Sequence, residues 1–404
     1  MLIRLAWKNV WRNKKRSLII IAAVAFGLWG GILAGALMMG WGESMVNTAI
    51  DRDLAHIQIH QPDFIREKTL NLYLPDGQRL LEEVRKVPGV KSAEGRTILE
   101  GMASSATSMS GVRIVGIVPE ESRGVTDIYR RVQEGSYFAG NARNPILIGK
   151  KLADKLHLKL RSKIVLSFQG FDGSIIYAAC RVVGIYKTES GVFDQTNVFV
   201  RQQDLTRLLA HPTVIHEIAV RVNLSKEVPR VQAALQQKFP SLEVKTWQEL
   251  APEIAYTASI MKSFTYLFVA IILFALLFGI TNTMLMAVLE RIRELGVLIA
   301  VGMKRGKIFV MILLETVMLS FTGGIGGMLI GGLSIWYLSG HGLDLSAFAS
   351  SLESFGASTM LYPFLPASMY FELAFMVVAA ACIAAGFPAW KAVRLQPATA
   401  VRME

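Results

Sequence analysis

Apolar and polar positions divide this chain into unequal blocks. Uncharged runs occupy residues 18–42, 263–289, 308–338 and 373–390, the third broken once by Glu315. Each is close to or above the ~20 residues a helix needs to cross a ~30 Å hydrocarbon core. Between the first and second lies a stretch of ordinary soluble composition. The pattern predicts an α-helical membrane protein with four transmembrane helices and a large α+β external domain inserted between the first and second. In order, the segments are a cytoplasmic amphipathic helix 1–16, a first span 17–42 and an external α+β domain with stalk ends 43–252. A stalk and second span 253–289 follow, then a cytoplasmic helix and loop 290–307, a third span 308–338 and a short external loop 339–371. A fourth span 372–390 and a cytoplasmic tail 391–404 complete the chain.

Inside the inserted domain, 55–60 and parts of 112–118 and 180–186 alternate with period two, as strands do. Residues 146–160 predict a helix, with Leu152, Leu156 and Leu160 at i+4 spacing. A second helix is predicted over 228–239, with Pro229 near its first turn. His56 and His60 would share a strand face about 13 Å apart at ~3.3 Å per residue, which suits packing or solvent better than metal ligation. A continuous helix over 252–289 would reach about 57 Å at ~1.5 Å per residue. That exceeds the bilayer core, and the surplus would form a stiff rod leading into the external domain. The first helix extends past Gly42 in the same way.

The stretch 282–307 breaks the apolar pattern. After the second run the chain becomes charged at Glu290, Arg291, Arg293 and Glu294, while Ile292, Leu295, Gly296 and Ile299 recur at helical spacing. Glu290 and Arg293 are placed to meet as an i,i+3 pair. Gly302 is the expected stop of this helix, ahead of the basic residues Lys304, Arg305 and Lys307. A short helix with a charged and an apolar face therefore lies at a membrane surface between two spans.

Charge refines the topology. The chain of 404 residues is 52% hydrophobic and carries a formal charge of +12. Its bases gather before the first span, in 290–307 and after Trp390, whereas 339–372 holds Asp344, Glu353 and Glu372 and neither Lys nor Arg. The positive-inside rule then puts both termini and 290–307 in the cytoplasm and the large domain outside. The basic excess reads as topology, not nucleic-acid binding. At the N-terminus, Ile3, Trp7, Val10 and Trp11 fall near one helical stripe, and Arg4, Lys8, Arg12 and Lys15 along another. This describes either a helix lying in the headgroup layer or a basic flank that orients the first span. Cys180 lies in the external domain and Cys382 inside the fourth span, so no disulfide framework exists. That favours a bacterial envelope protein in the inner membrane.

Candidate chemistry is sparse. Phosphate-loop, HExxH, CxxC and GxSxG patterns are all missing from the sequence, so neither a cofactor nor a metal site is expected in this chain. Glu315 is the acid inside a span, which makes it either a functional group or the partner of a base near the headgroups. Gly27, Gly31 and Gly35 in the first span, and Gly323, Gly327 and Gly331 in the third, repeat every four residues. Such stripes allow close helix contacts, within one subunit or across a dimer.

The run Asn282-Thr283-Met284-Leu285-Met286, continuing through Glu290-Arg291-Ile292-Arg293-Glu294-Leu295-Gly296 to Ala300-Val301-Gly302, resembles the N-T-M-x-M-x-V-x-E-R-x-x-E-I-G-x-x-x-A-x-G run of MacB/LolCE/FtsX-type ABC transporter permeases (type VII). The N-terminal Leu5-Ala6-Trp7-Lys8-Asn9-Val10-Trp11-Arg12 and the C-terminal Pro388-Ala389-Trp390-Lys391-Ala392 resemble the two ends of that family. The strand at 55–60 and Val244-Lys245-Thr246-Trp247 look similar to the LolC/LolE branch. The resemblance implies a permease working as a dimer, of identical chains or paralogues, beside a pair of cytoplasmic ABC ATPases. ATP and Mg would be bound by those partners, supplied as separate proteins because this chain carries no ATPase domain. It assigns Glu290, Arg291, Arg293, Glu294, Leu295, Gly296, Ala300 and Gly302 to ATPase coupling. It also implies mechanotransmission, in which hydrolysis moves the external domains through the stalks. Three readings follow: a lipoprotein-releasing permease with a periplasmic lipoprotein carrier, an exporter of drugs, peptides or toxins with an adaptor, and a signalling permease acting on a cell-wall hydrolase.

Overall fold

The computed structural model describes residues 11, 12, 14–140, 142–349, 352, 356 and 358–394. The amphipathic segment anticipated over 1–16 and the tail 391–404 fall largely outside the described residues. Two compact units divide the chain: the described residues of Met1–Glu43, Ala258–Asp344 and Met360–Glu404 form one, and Ser44–Thr257 with Leu345–Thr359 the other.

The first unit is helical. Among the described residues four helices are long and apolar enough to cross a membrane: α1 (Lys14–Ala49), α2 (Pro252–Glu290), α4 (Arg305–His341) and α5 (Ala367–Val393), with the nine-residue α3 (Ile292–Ala300) between α2 and α4. Helices suit a lipid environment because every backbone hydrogen bond closes within the segment. Ile20, Val24, Leu28, Ile32 and Ala36 recur every four residues on α1 and are fully buried. They meet the glycine stripe of α4. A Cβ at Gly323 would lie 2.7 Å from the Ile21 carbonyl oxygen, one at Gly327 2.7 Å from that of Ala25, and one at Gly331 3.0 Å from the Ile32 side chain. The stripe of α1 faces α2 instead: Gly27 abuts Leu276, Gly31 lies near Val269 and Gly35 near Thr265. Both stripes therefore make contacts within one subunit. Polar groups add cross-links, with Trp29 Nε1 donating to Ser334 Oγ at 3.1 Å and Thr281 Oγ1 to the Ala384 carbonyl at 3.0 Å.

The second unit is α+β. Its strands are β1 (Ile57–His60), β2 (Val90–Ser104), β3 (Met109–Ile117), β4 (Val132–Gly135), β5 (Pro145–Gly149), β6 (Lys163–Gln169), β7 (Ile175–Tyr186), β8 (Asn197–Arg201), β9 (Glu217–Val222) and β10 (Glu243–Thr246). The fifteen-residue β2 joins two lobes. Its first half pairs with β9 in a small sheet ordered β10-β1-β9-β2, packed on the helices Gly77–Arg85 and Val228–Lys238. Its second half pairs with β3 and β6, and through β8, β5 and β7 these strands close a six-stranded ring. Leu99, Ile114, Ile146, Leu166, Cys180 and Val198 fill its interior.

The helix expected over 146–160 is corrected. Residues Pro145–Gly149 form buried β5, and helix occupies only Lys150–Lys155. A short apolar run of Ile and Leu cannot be told from a helix by periodicity, and here both faces of the strand are covered. Leu152 and Leu156 still enter the ring core.

Candidate functional site

Helix α3 is bounded on both sides by local backbone geometry. Arg291, at φ −104° and ψ 14°, breaks the helical path between α2 and α3. At the other end Gly302 takes φ +100°, its N–H bonded to the Ile299 carbonyl and that of Met303 to the Leu298 carbonyl. These paired bonds form a Schellman cap, which requires a left-handed residue that glycine supplies without a Cβ penalty. Leu295 and Gly296 are buried against the helical unit, and Ile292 and Ile299 are half-buried. Glu290, Arg293, Glu294, Ala300 and Gly302 are exposed.

Ion pairs connect the segment 291–294 to other helices. Arg291 Nη1 lies 2.8 Å from Glu315 Oε1, with side chains 14% and 11% exposed. The acid in the α4 span therefore has a base beside it, contributed by the α2–α3 junction. Glu294 pairs with Arg12, just ahead of α1, on an open surface where such a pair contributes at most ~1 kcal/mol. Both pairs border a cleft of about 470 Å3, otherwise lined by apolar groups including Met284, Val288, Leu298 and Met311.

The sequence reading missed Val297 and Val301. They are 53% and 82% exposed and lie one and two turns beyond Arg293, so the outward face of α3 is apolar with bases at both ends. The i,i+4 spacing of 293, 297 and 301 was the available signal.

A second polar assembly lies in the α+β unit, at the five-residue π turn Ile50–Leu54 that follows α1. His60, Glu217 and Arg96 stand in register across β1, β9 and β2. Arg96, 2% exposed, reaches Glu94 at 2.6 Å, Glu217 at 2.7 Å and the Asp53 carbonyl at 2.7 Å. Arg113 adds a contact to the Asp53 carboxylate at 2.9 Å. Burial opposes the charge on Arg96, yet Glu94, Glu217 and Asp53 outweigh it and raise its pKa. Burial alone would push Glu217 up; Arg96, the His60 hydrogen bond and Arg113 bring it down to about 2. Burial raises Glu94, whose Oε2 has no hydrogen-bond partner. His56 and His60 are both buried in this lobe, His56 Nδ1 accepting the Val222 N–H and His60 Nε2 lying 3.3 Å from Glu217 Oε2. Among the described residues no group of three or more His, Cys, Asp or Glu could hold a metal.

Comparison with known proteins agrees with this architecture. The MacB-like periplasmic core domain matches residues 17–238 and the FtsX-like permease C-terminal domain residues 266–397. An uncharacterized ABC transporter permease of Methanocaldococcus jannaschii is 23% identical over 82% of this chain and 82% of its own length. The lipoprotein-releasing system transmembrane protein LolC of Neisseria meningitidis is 20% identical over 97% of each chain. The macrolide export ATP-binding/permease protein MacB of Bordetella avium is 29% identical over 57% of this chain and 35% of its own. With one family match alone spanning more than half of its length, four helices long and apolar enough to span a membrane and an α+β domain between the first two, the chain belongs to the MacB-like and FtsX-like permeases of the type VII ABC transporter family.

Proposed function

We propose that this permease couples ATP hydrolysis by a separate cytoplasmic ABC ATPase to movement of its external domain, and that its cargo is a lipoprotein released from the inner membrane. The outward face of α3 carries the reading: Val297 and Val301 stand exposed on a helix whose opposite side is held by buried Leu295. An ATPase surface with an apolar socket and acidic rim would seat there, with 290–307 and both termini in the cytoplasm. Glu290, Arg291, Arg293, Glu294, Leu295, Gly296, Ala300 and Gly302 then act as coupling residues and not as chemistry. ATP and Mg belong to the partner, and the permease itself is non-catalytic. A push on α3 meets the Arg291 junction and, behind it, the 39 residues of continuous α2. The exposed row Leu267, Ile271, Phe274 and Phe278 on α2 suits lipid or a second permease subunit, identical or paralogous.

The lipoprotein cargo rests on the LolC relative, which aligns across 97% of both chains. The MacB relative, with higher identity over a shorter part, favours export with a periplasmic adaptor as the second reading. ATP turnover by the permease reconstituted with its ATPase separates them. Stimulation by triacylated lipoprotein supports release, whereas stimulation by macrolides alone supports export.

A further inference from the structure

A cavity of about 240 Å3 lies in the α+β unit where β3 and β8 end. The two strands are parallel, with Ile117 opposite Arg201, so both leave the sheet at the same edge. The segments that follow them wall the cavity, together with Tyr137 and Phe138. Its charged lining groups are Arg123, Arg201 and Glu120.

Both guanidiniums are held in place without being neutralised. Arg123 is exposed and stands 5.8 Å from the Tyr129 ring and 5.6 Å from the Tyr137 ring. Aromatic faces attract a cation but leave its charge available. Glu121, two residues earlier in the chain, pairs instead with Arg85 at 2.7 Å. Burial pushes the Tyr137 phenol up to about 12, so that ring stays uncharged beside Arg123. Arg201 donates to the Phe138 and Gly140 carbonyls and lies 6.0 Å from the Phe138 ring. Phe138 takes φ +55°, a left-handed conformation unusual for a bulky side chain, and in it presents its carbonyl to Arg201. Among the described residues neither guanidinium has a carboxylate partner.

Two positive forks that share a cavity repel each other until an anion arrives between them. Guanidinium forks match oxyanions, each giving two parallel N–H donors. A carboxylate has two oxygens and satisfies one fork, whereas a phosphate has enough oxygens for both. The volume is below the ~300–1,000 Å3 of drug-sized ligand sites, which suits a headgroup and not an acyl chain. We propose that Arg123 and Arg201 form a binding site for a phosphate group, carried by a small soluble ester or by a lipid headgroup. Glu120 borders the same cavity and opposes the anion, which gives the site a test of sign. The inference rests on the α+β unit alone and not on the transport reading above.

The test is equilibrium binding of radiolabelled orthophosphate to the purified full-length permease in an uncharged detergent. Saturable binding is expected, weakened about tenfold or more by Arg123→Gln and by Arg201→Gln, and tightened by Glu120→Gln. Arg201 also holds the carbonyls of Phe138 and Gly140, so its variant can disturb the fold. Arg123 touches only rings, and Arg123→Gln with unchanged thermal melting is therefore the decisive variant. Competition separates the sources. Equal displacement by glycerol 3-phosphate and by water-soluble dihexanoyl phosphatidic acid assigns a soluble ester, whereas displacement by the phosphatidic acid at far lower concentration assigns a lipid headgroup. No saturable binding, binding indifferent to Arg123→Gln, loosening by Glu120→Gln, or displacement by acetate as readily as by glycerol 3-phosphate would overturn the proposal.

Discussion

Arg291 and Glu315 lie 2.8 Å apart although 24 residues separate them in sequence, and their contact fixes the start of α3 to the side of α4. Removing one partner strands the other in a largely buried position, at a cost of about 1–3 kcal/mol. Arg291→Met and Glu315→Leu are each expected to lower the melting temperature of the detergent-solubilised permease, and the double variant less than their sum. Additive losses in this cycle would show that the two side chains do not interact.

The buried cluster around Arg96 calls for a larger effect. Arg96→Met leaves Glu94, Glu217 and Asp53 without the guanidinium that holds them, and breaking a buried pair costs about 3–5 kcal/mol. Arg96→Lys is expected to restore little, because an ammonium cannot reproduce the forked contacts to Glu94 and Glu217. Hydrogen exchange of the β1, β2 and β9 amides in the full-length protein reads this directly: protection should fall in both variants.

Acid should loosen the same lobe through its histidines. Burial lowers His216 to about 4, and burial followed by the Arg221 charge lowers His56 to about 4. In each ring Nδ1 accepts a backbone N–H, from Ile98 and Val222 respectively, so protonation removes a bond. A folded pKa below the ordinary ~6.5 contributes stability that is complete above ~6.5 and lost as pH falls towards about 4. Asp194, raised to about 6 by burial, acts in the opposite sense between about 4 and 6. The diagnostic is therefore a difference: His216→Gln should cost much more stability at pH 7.5 than at pH 4.5 in thermal melts.

Glycines of the two stripes should differ in tolerance. A Cβ at Gly327 would fall 2.7 Å from a backbone oxygen of α1, whereas at Gly31 its nearest neighbour is 3.9 Å away. Gly327→Ala is expected to destabilise the helical unit by about 1–3 kcal/mol, with Gly31→Ala near neutral. Thermal unfolding in detergent checks the contrast.

The four spans were legible because each is an apolar run of about 18 residues or more with at most one charge, close to the length that crosses a bilayer, and Gly302 was legible as a stop because its backbone role is local. Residues 145–149 were misread because a strand buried on both faces loses its alternation. The closed ring, set by pairings such as Gly101 with Phe168 and Lys163 with Arg181, leaves no local trace in the sequence. Arg96 illustrates the same limit: a lone arginine in a strand reads as solvent-facing until Glu94, Glu217 and Asp53 are folded around it. Arg291 and Glu315 were each conspicuous, yet their pairing depends on how α2 and α4 pack.

The most direct measurement is binding of the cognate cytoplasmic ABC ATPase to the purified full-length permease, comparing wild type with Val297→Asp/Val301→Asp on the outward face of α3. Both positions are exposed, so the double variant should fold normally while placing two carboxylates in an apolar contact. The expected result is loss of ATPase binding by about a hundredfold or more, with unchanged melting of the permease. Undiminished binding and undiminished stimulation of ATP turnover by the double variant would contradict the assignment of α3 as the coupling element.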